Sequence, residues 1–146
     1  MTISVVTLPG DGIGPEVTAQ AVRVLRAVSE KAGLNLAIKE YPVGGAAIDQ
    51  FGVPLPEDTL MACSKADAIF LGAVGGPQWA DVDVKFRPEQ GLLDLRKKLG
   101  LFANLRPVVT HNSLSHLTPF KTGHLSDLDI MVVRELTGGL YFGKRG

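Results

Sequence analysis

Six consecutive residues near the start of the chain, Ile3 to Leu8, are apolar or β-branched at nearly every position. Such a run predicts a strand covered on both faces, as in a parallel sheet flanked by helices, because a strand with one wet face would alternate. A glycine-rich turn follows, and from Pro15 the apolar residues Val17, Ala21, Val24, Leu25 and Val28 recur at helical spacing. Pro15 stands where a first-turn proline is tolerated, and Gly33 where a helix commonly stops. The chain thus opens as strand, turn and helix.

Leu36 to Val43 reads as a second strand, Pro56 to Lys65 as a short helix and Ala68 to Leu71 as a third, buried strand. Alternation of this kind predicts an α/β domain. Pro88 to Leu99 is predicted helical again. Asn104 to Val109 and Leu128 to Glu135 read as strands separated by the polar loop "HNSLSHLTPFKTGHLSD". No internal repeat or low-complexity tract interrupts the pattern.

Composition narrows the classes of function. With 45% hydrophobic and 21% charged residues over 146 positions, the chain suits a packed domain rather than disorder. Fifteen basic residues balance fifteen acidic ones, which leaves no electrostatic footprint for nucleic acid or an anionic membrane. The longest apolar run, Ala68 to Val74, falls far short of the roughly 20 residues that span a bilayer. The N-terminus has no basic segment followed by an apolar one. The single Cys63 excludes an internal disulfide and suits a reducing compartment, so a cytoplasmic location is expected.

Two glycine clusters are candidate ligand loops. "LPGDGIGPEV" invites the dinucleotide fingerprint G-x-G-x-x-G, but Pro15 occupies the third glycine position and no G-K-[ST] follows. A turn requiring positive φ explains these glycines equally well, while the helix N-terminus beside Asp11 offers a possible cofactor surface. "GAVGGPQW" follows the third strand, and ligands of α/β sheets bind at the carboxyl ends of strands. Both clusters could instead be simple turns.

Within "RPEQGLLDLRKKLG", helical spacing places Glu89, Leu92 and Arg96 on one face. The alternative is a core stripe of Leu92, Leu95 and Leu99 beside a solvated face carrying an Asp94 to Lys98 pair. Arg106 follows in "ANLRP", and Arg134 finishes the apolar run "DIMVVRE". An arginine ending a buried strand needs an anionic partner. If Arg96, Arg106 and Arg134 converge they form a fork for carboxylates; otherwise Glu135 or an aspartate pairs with Arg134. Tyr141, in "TGGLYFG", can donate a proton or serve packing. His111, His116 and His124 fit no metal spacing and receive no role. Cys63 reads as a small core residue.

Taken in order, "LPGDGIGPEV", "GGAAIDQFG", "GAVGGPQW", "RPEQGLLDLRKKLGLFANLRP" and "RELTGGLYFG" resemble the N-terminal part of the 3-isopropylmalate dehydrogenases, within the isocitrate/isopropylmalate dehydrogenase family. The resemblance runs from Ile3 to Gly143. It implies an α/β fold that binds NAD without being a Rossmann fold, incomplete in this chain, with residues 1–101 belonging to a first domain and 102–146 opening a second. It implies NAD-dependent oxidative decarboxylation of 3-isopropylmalate in leucine biosynthesis. By the same resemblance Arg96, Arg106 and Arg134 hold the malate carboxylates, Leu92 and Leu93 face the isopropyl group, and Tyr141 assists proton transfer. Ile13, Gly75, Gly76 and Glu89 would border the cofactor.

The resemblance also implies what should follow Gly146. A catalytic lysine, the aspartates that bind Mg²⁺ or Mn²⁺ and the residues that hold adenosine are expected there, so no metal ligand is expected in this chain. The full-length protein is expected to be a homodimer with shared active sites, and this chain to be an inactive fragment with open edges and marginal stability. Two alternatives stand beside this reading. One is a sister decarboxylating dehydrogenase acting on isocitrate, homoisocitrate or tartrate, which Leu92 and Leu93 argue against. The other is a short non-catalytic protein that binds dicarboxylates or pairs with a complete subunit.

Overall fold

The structure, a computed structural model, describes residues 2–117, 119–120, 128–136 and 138. Tyr141, Gly143 and His124 lie outside the described residues. The chain forms two compact units, Met1–Leu99 and Gly100–Gly146.

In the first unit a three-stranded parallel sheet has the order β2-β1-β3, with β1 at Thr2–Gly10, β2 at Asn35–Glu40 and β3 at Ala68–Ala73. The apolar opening run lies in the central strand, where Val5, Val6, Thr7 and Leu8 are all buried. Successive side chains leave opposite faces of a strand. Val6 and Leu8 join Val43, Cys63 and Leu95 in the core, which brings α3 (Glu57–Lys65) and α4 (Pro88–Lys98) onto one face. Thr7 and Pro9 share a cleft with Thr18, Ala19 and Val22 of α1 (Gly14–Lys31) on the other. Among the described residues no helix is long and apolar enough to cross a membrane.

Several boundaries and faces differ from those expected. The first strand runs on to Gly10, which pairs with Ala73 at φ 73°. A Cβ there would collide with the Ala73 carbonyl, so the strand can reach this point only as glycine. The second strand stops at Glu40 rather than Val43. Tyr41 N–H still donates to Thr7 O at 2.9 Å, but Pro42 has no N–H for the ladder and Val43 turns inward, fully buried. An unpredicted helix, α2 (Gly45–Phe51), follows. Its seven residues are too few to show a periodic apolar stripe.

The faces of α1 reverse expectation. Gly14, Thr18 and Ser29 are its buried residues, while Val17, Val24 and Val28 are 46%, 63% and 56% exposed. Small residues let the helix lie close to the strands, while Ala21 and Leu25 of the expected stripe are half-buried and its three valines point outward. The third strand, expected to be buried, is only half-buried, because it borders β1 alone among the described strands.

In the second unit β4 (Ala103–Val109) and β5 (Asp129–Glu135) form an antiparallel pair in the register Asn104↔Arg134 and Arg106↔Val132. A 3₁₀ turn at Asn112–Leu117 occupies part of the intervening loop. The connection is closed by Thr110 N–H donating to Leu128 O at 3.0 Å and by Leu128 N–H donating to the Thr110 hydroxyl at 3.1 Å. Every residue of β5 is exposed, so Arg134 does not end a buried strand as its apolar neighbours suggested.

Candidate functional site

The carboxyl ends of β1 and β3 and the start of α2 meet at one side chain. Asp11, one residue beyond β1 and 3% exposed, accepts hydrogen bonds from backbone amides of two distant segments. Its Oδ2 takes the N–H groups of Gly45 and Gly75, each at 2.8 Å, and its Oδ1 takes that of Ala46 at 2.7 Å. Gly45 and Ala46 open α2, where the first amides lack intrahelical partners. A carboxylate answers this need because both its oxygens are pure acceptors. The main chain of Asp11 is fixed as well, its N–H donating to Ala73 O at 2.7 Å and its carbonyl accepting from Gly14 N–H at 2.8 Å. The Asp11 carboxylate is turned inward and fully engaged, while Gly12 and Ile13 before the helix are exposed.

Around this junction stand the residues expected to border a cofactor. Ile13 is the residue before α1 and is 68% exposed. Gly75 lies next to Glu89, since a Cβ built on it would stand 2.5 Å from Glu89 Oε1. Gly76 follows directly and lies over the ring of Trp79. That ring in turn fills the place a side chain at Gly45 would occupy, and its Nε1–H donates to Asp49 Oδ1 of α2 at 3.0 Å. The two glycine clusters, 64 residues apart, are thus tied through Asp11. A cleft of about 280 Å³ opens at the same sheet edge beside Gly10, Tyr41 and Gln50, but Ile13, Gly75, Gly76 and Glu89 do not line it.

On α4 both readings of the leucine stripe hold in part. Leu95 is buried in the core and Leu99 packs against it, while Leu92, Leu93 and Arg96 are half-buried and Glu89 is exposed. The Asp94 to Lys98 pairing is replaced: Asp94 Oδ1 accepts from Gln90 Nε2 at 2.8 Å, one turn toward the N-terminus. Arg96, Lys97 and Lys98 all fall in the last turn, where the helix dipole favours positive charge.

In the second unit the register brings Arg106 and Arg134 to one face of the hairpin. Arg106 stands opposite Val132, which lies two positions from Arg134 in β5, so the two arginines occupy diagonal positions on one face. Asn104, directly opposite Arg134, accepts from Arg106 Nε at 3.1 Å. Glu135, weighed as a partner for Arg134, accepts from Gly138 N–H at 2.8 Å.

A sequence profile described as isocitrate/isopropylmalate dehydrogenase matches residues 4–146. The chain belongs to the isocitrate/isopropylmalate dehydrogenase family. Among relatives of this family it is 58% identical over 144 residues to a 3-isopropylmalate dehydrogenase of Anaeromyxobacter dehalogenans, a match that covers 99% of this chain and 41% of the relative. It is 55% identical over 144 residues to the 3-isopropylmalate dehydrogenase of Staphylococcus haemolyticus, with the same coverage. The chain thus spans about two-fifths of the length of these relatives.

Solved structures of the family agree. A β-decarboxylating dehydrogenase of Thermococcus kodakarensis superimposes with a TM-score of 0.69 at 35% identity, over 97% of this chain and 36% of that one. An isocitrate dehydrogenase of Methylococcus capsulatus gives 0.72 at 32% identity, over 95% and 36%. The fold class of isocitrate/isopropylmalate dehydrogenases, incomplete in this chain, accounts for a glycine turn that fails the Rossmann fingerprint.

Sequence reasoning missed Asp11 as the junction and Trp79 as the buried wedge. Their partners are backbone amides and a glycine, which carry no side-chain signal. The one legible sign was "GGAAID", whose paired glycines preceding Asp49 mark a place where something approaches closely.

Proposed function

We propose that the chain is the N-terminal part of an NAD-dependent enzyme that oxidatively decarboxylates 3-isopropylmalate in leucine biosynthesis. The observation that carries this reading is the identity above 50% with several relatives named 3-isopropylmalate dehydrogenase, over nearly the whole chain. In this reading residues 1–101 belong to the first domain and 102–146 open the second. The full-length protein is a cytoplasmic homodimer, and this chain alone is inactive.

The residues present fit a nicotinamide cofactor. Ile13 offers an exposed apolar surface, Gly75 and Gly76 a wall without side chains, and Glu89 a carboxylate beside it, suited to a cationic ring. The chemistry supplied by bound cofactor is acceptance of a hydride from the hydroxyl-bearing carbon. Arg96, Arg106 and Arg134 hold the two carboxylates, using the bidentate geometry that guanidinium favours. The half-buried Leu92 and Leu93 face the isopropyl group. Tyr141 assists proton delivery to the enol left after carbon dioxide departs. In this reading Mg²⁺ or Mn²⁺ would be held by residues of the full-length enzyme outside this chain.

The test is to purify the full-length gene product and follow NAD reduction and carbon dioxide release with 3-isopropylmalate, isocitrate, homoisocitrate and tartrate. Preference for 3-isopropylmalate is expected, with R106K raising its KM by about a hundredfold through loss of the planar fork. Preference for any of the other acids would overturn the substrate assignment. Measurable turnover by the 146-residue chain alone would overturn its inactivity.

A further inference from the structure

We infer that Asp11 is a positioning residue for the cofactor side of the site, acting through backbone amides and touching neither cofactor nor substrate. The inference rests on the cofactor assignment proposed above. A carboxylate buried to 3% exposure needs strong partners, and here all three are amides drawn from the start of α2 and from the loop after β3. The loop after β3 is itself part of the proposed cofactor wall, and α2 supports it through Trp79, which packs on both Gly45 and Gly76 and donates to Asp49. Ile13 lies two residues beyond Asp11 in its own turn. Gly75 is held directly, and its neighbour Gly76 continues the loop toward Trp79. Glu89 stands against Gly75 so closely that a Cβ there would meet its carboxylate.

None of the Asp11 hydrogen bonds goes to a proposed substrate residue, although Leu92, Leu93 and Arg96 follow Glu89 on the same helix. Leu92, Leu93 and Arg96 project from α4, while Arg106 and Arg134 belong to the β4–β5 hairpin. The Asp11 hydrogen bonds go to Gly45, Ala46 and Gly75 instead. Loss of the carboxylate should therefore loosen the grip on NAD and leave that on 3-isopropylmalate nearly unchanged. Asparagine is the informative replacement, because it keeps the shape but offers one acceptor oxygen and an NH₂ group. Whichever way the amide turns, at least one of the three N–H groups meets a donor.

In the full-length enzyme, D11N is expected to raise the KM for NAD about tenfold, the scale on which misplacement of a binding group acts, with the KM for 3-isopropylmalate within about twofold of wild type. Equal rises in both constants, or no rise in either, would overturn the inference, because a merely structural role would not separate them. Should D11N fail to fold, wild-type amide exchange decides. The Gly75 amide should be protected by about a hundredfold or more before NAD is added, the hydrogen bond being built into the fold. Exchange at the free-peptide rate until NAD arrives would overturn it. A wild-type enzyme that turns over without NAD overturns both the cofactor reading and this inference, a result visible before any variant is made.

Discussion

In the first unit β1 carries Val5, Val6, Thr7 and Leu8 at no more than 5% exposure, whereas in the second β5 carries Ile130, Met131, Val132 and Val133 at 45% to 64%. The two strands are similarly apolar, so composition does not separate them. What differs is the number of layers. β1 has a strand on each side and helices on both faces, while β5 has β4 on one side and exposed faces. A lone two-stranded ribbon is at best marginal in water. The comparison teaches that an apolar run records the burial a strand is suited to, and that its neighbours decide whether the burial is met.

The largest effect expected from this difference separates two truncations. L8A removes a fully buried side chain and should destabilise the first unit by about 3 to 5 kcal/mol. V133A removes an exposed one and should change stability by no more than about 0.5 kcal/mol. Trp79, the chain's single tryptophan, lies in the first unit, so its fluorescence during urea denaturation reports L8A directly. Far-UV circular dichroism serves for V133A. Equal losses at the two positions would break the comparison.

A second contrast concerns polar groups. D11A leaves three buried or half-buried amides without their acceptor and should lower stability by about 2 to 4 kcal/mol. N104A removes only the oxygen that Arg106 Nε reaches on an exposed face, and a change within about 0.5 kcal/mol is expected. Denaturation midpoints of the two variants measure this. A mild D11A would mean that water replaces the carboxylate readily, and the first unit would be looser than its hydrogen bonds imply.

The smallest effect sits at Cys63. Burial pushes its thiol up from the ordinary value of 9.0, so the folded state prefers the neutral form. That contribution is complete below 9.0 and is lost as pH rises through the higher folded value. The denaturation midpoint should therefore decline slightly at alkaline pH in wild type and less so in C63A. Near neutral pH a thiol reagent should modify Cys63 only as fast as the first unit opens. Rapid modification of the folded protein would sharpen the picture by showing that α3 detaches on its own.

The strand-turn-helix opening was legible because Ile3 to Leu8 and Pro15 to Gly33 obey local rules that the packing confirms. Which side of α1 faces the sheet was not, because Gly14, Thr18 and Ser29 carry no hydrophobic signal and the valines on the other face do. At the candidate site Arg106 and Arg134 were recognisable by type, yet their shared face comes from the β4–β5 register, which no local pattern specifies. The role of Asp11 depends on residues 34 to 64 positions away. Distance along the chain, rather than weakness of the interaction, kept it out of sight.

The most direct test of the account is amide hydrogen exchange on the 146-residue chain and on the full-length protein side by side. The amides of β1 should be strongly protected in both. Those of β4 and β5 should exchange close to free-peptide rates in the 146-residue chain and, under the proposed reading, become protected only in the full-length enzyme. Equal, strong protection of both units in the 146-residue chain would contradict the account, since the second unit would then be as self-sufficient as the first.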